Sequence, residues 1–257
     1  TAQNTAAKVE NANDGKLRTY RLAVATTGEY AQFHLTQQGV AETETEAVKK
    51  EAVLSAIVTT MTRVNGIFER DVALTMVLVD KNTDIIFLDG VIDNFTNDDS
   101  QELINESQTV INSIIGTNNF DIGHTFSTGG GGLAQLNSPC TFTGKARGIT
   151  GSRSPIGDAY DIDYVSHEMG HQYGARHTFN AETGGCGGNR SAATSVEPGS
   201  GSTIMAYSGL CSPNNIQSLA DSYFHYVSIQ EMWANITGGN SSVCGTLSDT
   251  NNITPVI

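Results

Sequence analysis

The run His167-Glu168-Met169-Gly170-His171-Gln172-Tyr173-Gly174-Ala175-Arg176-His177 constrains this chain more than any other stretch. On a helix, His167 and His171 lie about one turn apart and face the same way, so both imidazoles can reach one metal ion. Glu168 sits beside the first of them and outside the ligand set, where a carboxylate can polarise a water and take its proton. Gly174 can adopt a left-handed backbone that other residues resist, which turns the chain and returns His177 as a third ligand. Three neutral nitrogens leave a tetrahedral zinc one open position, the arrangement of a reactive rather than a closed site. A bare His-Glu-x-x-His arises by chance. The added Gly and His at fixed spacing, in a chain with 6 histidines, make the pattern specific.

The rest of the chain must supply a scaffold for that site. Its 257 residues are enough for one large domain or two lobes around a cleft. A net charge of -13, with 14 Lys and Arg, argues against nucleic acid or an anionic membrane as partner. No apolar run approaches the ~18 residues of a membrane span, and the longest, Val72 to Val79, is strand-sized. The N-terminus lacks the charged-then-apolar pattern of a signal sequence, so any such segment is expected to have been removed. Cys140, Cys186, Cys211 and Cys244 have no Cys-x-x-Cys spacing, and the site already has its ligands. Two disulfides and secretion are expected, with three pairings open.

Periodicity suggests the order of elements. Residues 1–16 are polar and Asn-rich, and Leu17 to Ala25 reads as a strand. Val48, Leu54, Ile57, Val58, Met61, Val64 and Phe68 recur at helical spacing within a helix from Thr43 to Phe68. Strands are expected at Val72–Val79 and Ile85–Leu88, then a helix capped near Asp98-Asp99-Ser100 and ended by Gly116. Phe120 to Phe126 and Leu133 to Ser138 are further strands. The glycines at 129–132 are followed by no Gly-Lys-Ser/Thr, which speaks against a phosphate loop. A β-α-β-β-α-β order implies a mixed, largely parallel sheet with two crossover helices. The metal helix spans Asp158 to Gly174. Beyond His177 the chain turns Gly-, Ser- and Asn-rich until Thr203-Ile204-Met205-Ala206-Tyr207, and a last helix is expected around Tyr223 to Ile236. Residues 245–257 read as a tail.

The extended histidine motif followed by Thr203-Ile204-Met205-Ala206-Tyr207 resembles the metzincin zinc peptidases, whose second hallmark is a Met-turn. The element order, Phe120-Asp121-Ile122-Gly123-His124 and the Gly-rich approach to Leu133-Ala134 resemble the reprolysin-like (adamalysin-type, M12B-like) members, in a bacterial branch. The likeness covers roughly residues 17–240. It implies an α+β metzincin fold: a mixed five-stranded sheet with two crossover helices, an active-site helix, and a small irregular lower lobe with a C-terminal helix. One catalytic domain would then comprise an upper lobe at about 17–175, a lower lobe at about 176–244 and the tail. The resemblance also implies that Met205 floors the histidines, and that Cys140 pairs with Cys244 and Cys186 with Cys211. Thr178 departs from the Asp that reprolysins usually carry after the third His. His-Thr-Phe at 177–179 is similar to pappalysins. Tyr207, two residues after Met205, is placed as in astacins, where such a Tyr can bind zinc.

The expected activity is that of a secreted, monomeric zinc metalloendopeptidase acting on proteins or peptides. His167, His171 and His177 would hold zinc, Glu168 would be the base, and Tyr207 would stabilise the oxyanion. Substrate would lie along Leu133, Ala134, Gln135 and Leu136, with Thr203 and Ile204 lining the pocket beyond the scissile bond. Calcium is a candidate structural ion, with oxygen donors at Glu182, Glu197 and Asp221. His124 and His225 lack ligand spacing and are expected to be structural. The alternatives are a secreted zinc-holding recognition module without turnover, against which Glu168 speaks, and a zinc hydrolase of non-peptide substrates.

Overall fold

The computed structural model describes residues 14–251; most of the polar N-terminal segment (1–13) and the end of the expected tail (252–257) lie outside that range. Strand β1 (Lys16–Thr26) is the axis of the sheet. Its first half alternates, with Arg18 and Tyr20 buried and Arg21 exposed, whereas residues 22–26 are buried throughout. Burial on both faces is what a central strand covered by two layers requires. β1 pairs in parallel with β2 (Leu74–Leu78) and with β3 (Ile122–Ser127). β4 (Gly131–Ala134) and β5 (Gly148–Gly151) complete the order β2-β1-β3-β5-β4, with β4 antiparallel and at the edge.

Side-chain alternation along β1 divides the core in two. Tyr20, Leu22 and Val24 face one layer, made by α1 (Gly28–Gln37), α2 (Glu46–Val72), the metal-site helix and α6 (Tyr226–Gly238). Ala23 and Ala25 face the other, where α3 (Ser100–Ile115) inserts Leu103, Ile104, Val110, Ile111 and Ile115. α2 keeps Ile57, Met61, Val64 and Phe68 of its expected stripe, but Val48 and Val58 face solvent, and the helix runs on through Val72, the first residue of the expected strand. Thr45 caps it by accepting from the Val48 amide, and Val53, Ile57, Met61, Val64, Ile67 and Phe68 form the buried stripe.

The helix carrying the metal motif runs from Asp158, as expected, but not as one regular helix. α4 (Asp158–Tyr160) passes into a wide π turn over Asp161–Ser166, and α5 (His167–Gln172) begins at the first histidine. Ser166 Oγ donates to the Asp161 carbonyl at 2.7 Å inside that widened turn.

Several elements differ from the sequence expectation. Ile85–Leu88 is not a strand. A 3-10 turn covers Asn82–Ile85, and the Asn82 side chain bonds both the N–H and the C=O of Val24, occupying groups that a neighbouring strand would have used. α1 was not anticipated, because Tyr30, Ala31 and Leu35 are spread among Gln and His without a continuous apolar stripe. β5, Gly-Ile-Thr-Gly, carries no pattern of its own and exists through its partners β3 and β4. β4 ends at Ala134 rather than Ser138, since Asn137 (φ 55°) and Cys140 (φ 66°) take left-handed backbone. The expected tail contains a strand, β6 (Thr246–Asp249), antiparallel to residues 16–19 of β1, which makes the sheet six-stranded.

Cys140 is bonded to Cys244 and Cys186 to Cys211, leaving no free cysteine. Closing the 104-residue separation between Cys140 and Cys244 removes roughly 4–5 kcal/mol of unfolded-chain entropy. No helix among the described residues is long and apolar enough to cross a membrane.

At α3, Asp99 accepts from the amides of Gln101 (2.9 Å) and Glu102 (3.2 Å). Asp99→Ala is expected to lower unfolding free energy by about 1 kcal/mol, read as a lower urea midpoint at unchanged m-value.

Candidate metal centre

Each histidine of the motif is aimed by a backbone carbonyl. His167 Nδ1 lies 2.7 Å from Ile204 O, His171 Nδ1 2.6 Å from Ala175 O, and His177 Nδ1 2.6 Å from Asn189 O. A carbonyl can only accept, so each Nδ1 carries the proton and each Nε2 keeps its lone pair. Those lone pairs converge: His171 Nε2 to His177 Nε2 is 3.0 Å, and His177 Nε2 to His167 Nε2 is 3.2 Å. Three acceptors at such distances repel unless a cation lies among them. Zinc–nitrogen bonds of about 2.0–2.1 Å in tetrahedral geometry place ligand nitrogens about 3.3 Å apart, which this set matches. Burial, with repulsion from neighbouring rings at His167 and His171, holds all three imidazoles below their usual range, in the neutral form that binds metal.

The glycine turn works as the motif requires. Gly174 has φ 111°, and a Cβ there would sit 2.4 Å from Asn137 Oδ1. The turn delivers Ala175 O to His171 and leads to His177. Between them, Arg176 is held to α6 through Glu231, by its amide at 2.8 Å and its guanidinium at 2.6 Å.

Glu168 lies beside the ligands and is 7% exposed, with burial pushing its carboxyl up to about 8. A cation in the imidazole cluster would favour the ionised form. Its room comes from β4, because a Cβ on Gly132 would meet Glu168 Cγ and Oε1 at 2.4 Å. Met205 is fully buried under α5, and a Cβ on Gly170 would lie 2.6 Å from its sulfur. The Tyr207 ring stands 4.6 Å from that of His177 and 5.6 Å from that of His167. Burial pushes its phenol up to about 12, so it remains a hydrogen donor at neutral pH.

The cleft over these groups has a volume of about 380 Å³, in the range of ligand sites. Gly132, Leu133, Ala134 and Leu136 form one wall; Arg176, Asn189, Ser191 and Tyr207 form another. Three expected substrate contacts are placed elsewhere. Gln135 turns toward Gly144, where a Cβ would meet its amide at 2.3 Å. Thr203 and Ile204 are 3% and 0% exposed and lie behind the histidines, where Ile204 O receives His167. The calcium expectation finds no support. Among the described residues the three histidines are the one group of three or more able to share a metal. Glu197 is occupied by internal hydrogen bonds, Glu182 lies 3.9 Å from Arg190, and Asp221 contacts Tyr223.

Sequence reasoning missed two supports. Gln172 follows the second ligand and points into the sheet, donating to Gly123 O (3.0 Å) and Ser138 Oγ (3.2 Å). Its Oε1 accepts from His124 Nδ1 at 2.8 Å, and His124 Nε2 accepts from Thr150 at 2.8 Å. A Cβ on Gly148 would displace that amide. His124 is thus a buried clamp between α5, β3 and β5, while His225 caps α6 by accepting from the Val227 amide. The second support is Glu197. Burial pushes its carboxyl up, but bonds from Thr178, Thr203 and Ser202 outweigh that and hold it below the usual range.

Residues 16–235 match the profile of Metallo-peptidase family M12B Reprolysin-like. The sheet, the paired layers of helices and the three-histidine cluster define a metallopeptidase of the metzincin type. The chain belongs to the M12B reprolysin-like metallopeptidases, a family that uses zinc for proteolysis. No curated protein matches it.

Two outcomes test this packing. Gly170→Ala is expected to cost about 1–3 kcal/mol by driving into Met205, seen as a lower Tm. Burial depresses the His124 imidazole to about 4 from 6.5, so the unfolded chain binds more protons between those values. Stability from His124 is therefore complete above pH 6.5 and lost as pH falls toward 4, with a slope of about 1.4 kcal/mol per pH unit. Urea denaturation in chelator from pH 7 to 4 should give a shallower pH slope for His124→Gln than for wild type.

Proposed function

We propose that this chain is a secreted, monomeric zinc-dependent endopeptidase. The observation that carries the reading is the convergence of three carbonyl-oriented Nε2 atoms beside buried Glu168, on the floor of a cleft walled by an edge strand. When bound by His167, His171 and His177, zinc supplies Lewis acidity, lowering the pKa of water towards ~7 and polarising a carbonyl. Glu168 accepts the proton of the attacking water and passes it to the leaving amine. The Tyr207 hydroxyl, protonated at neutral pH, donates to the developing oxyanion. Met205 holds the helix floor beneath the ligands. An extended peptide adds antiparallel to β4, whose outer edge has no strand partner among the described residues, with Leu133, Ala134 and Leu136 along its path. Backbone pairing of that kind suits internal, unstructured stretches of protein. Two disulfides favour an oxidising compartment and hence secretion.

Casein cleavage checks the reading. Wild type should be active, lose activity to a chelator and regain it on zinc addition, and Glu168→Ala should fall about 10²–10⁴-fold while still binding zinc. Metal-independent cleavage, or an undiminished Glu168→Ala protein, would sink it. Full zinc binding with no cleavage of any protein would favour the recognition module instead.

A further inference from the structure

The Glu197 side chain is buried and does not line the cleft, yet it gathers four hydrogen bonds. Its Oε2 accepts from Thr178 Oγ1 (2.5 Å) and Thr203 Oγ1 (2.6 Å); its Oε1 accepts from the amides of Ser202 (2.9 Å) and Thr203 (3.1 Å). Thr178 directly follows the third histidine, and Thr203 opens the turn that holds Met205. The two segments also touch directly, since the Thr178 amide donates to Met205 O at 3.0 Å and the Glu197 amide to Thr178 O at 2.9 Å. The same turn offers Ile204 O to His167. One carboxylate therefore ties the segment just after His177 to the turn that aims His167.

We propose that Glu197 is a positioning residue for the metal centre, locking the His177 segment onto the Thr203–Tyr207 turn and so setting how tightly the three imidazoles retain zinc. This rests on the zinc reading above, and not on turnover. A carboxylate accepts four bonds at once without a proton of its own to place. Glutamine would set an N–H2 against two hydroxyls and keep one acceptor, and alanine would leave four donors unpaired.

The test measures zinc affinity by competition with a chromophoric chelator, and amide exchange over residues 199–207 in the metal-free protein. Glu197→Gln and Glu197→Ala are expected to lose zinc affinity by about tenfold or more and to exchange faster in that segment. Glu197→Asp, which keeps the charge but spans less of the gap, should fall between them and wild type. Val64→Ala in α2 controls for general destabilisation and should lower Tm with zinc affinity unchanged. If Glu197→Ala does not fold, the Thr178→Val/Thr203→Val pair removes two donors and should weaken zinc in the same direction. Folded Glu197 variants that hold zinc within about twofold of wild type overturn the proposal, whatever their Tm. Wild type that binds zinc tightly, cleaves nothing and loses zinc on Glu197→Gln would sink the peptidase reading and sustain this one. Wild type that binds no zinc would overturn both.

Discussion

Three lone pairs gathered within 4.8 Å of one another, two of them about 3 Å from the third, are the demand that the rest of this structure answers. Each imidazole would turn away if its other nitrogen were free to solvate. Three carbonyls from three segments prevent this: Ile204 from the Met205 turn, Ala175 from the glycine turn and Asn189 from the irregular stretch closed by Cys186–Cys211. Each segment is in turn anchored, by Glu197, by the Gly174 backbone and by the disulfide loop. The neutral, acceptor-directed state of the rings thus follows from backbone placement rather than from the rings themselves.

The helix that carries two of the ligands needs a floor that does not yield. Met205 and Phe224 press on Gly170 from below, while Gln172 and His124 pin the opposite side to β3 and β5. These contacts work because small residues stand where side chains would collide. Gly170 admits the methionine, Gly148 admits the glutamine amide, and Gly132 on the edge strand admits Glu168. The site is shaped as much by absent Cβ atoms as by the groups that do chemistry.

Features encoded in local spacing were legible in the sequence. The histidine motif, the α2 stripe and the Asp99 cap each depend on residues within a turn or two of one another, and so did their recognition. Features that depend on distant partners were not. β5 is a strand only because β3 and β4 flank it, and Ile85–Leu88 is not one because Asn82 takes the place of a neighbour. Thr203 and Ile204 were assigned to the cleft by likeness, but their polar groups serve Glu197 and His167 instead. Glu197 has no motif at all: its carboxylate is defined by donors from residues before and after it that only the fold assembles.

The pairing of Lys16 with Asp249 gives the central strand a partner more than two hundred residues away in sequence. β1 acquires neighbours in the order β2, β3 and β6, each closing a longer loop than the last. Such non-local closure makes for high contact order and slow folding, with the first half of β1 exposing an unpaired edge until the chain's late strand arrives. The histidines lie well upstream of β6, while the bond from Cys140 to Cys244 holds that closing strand within reach of β1.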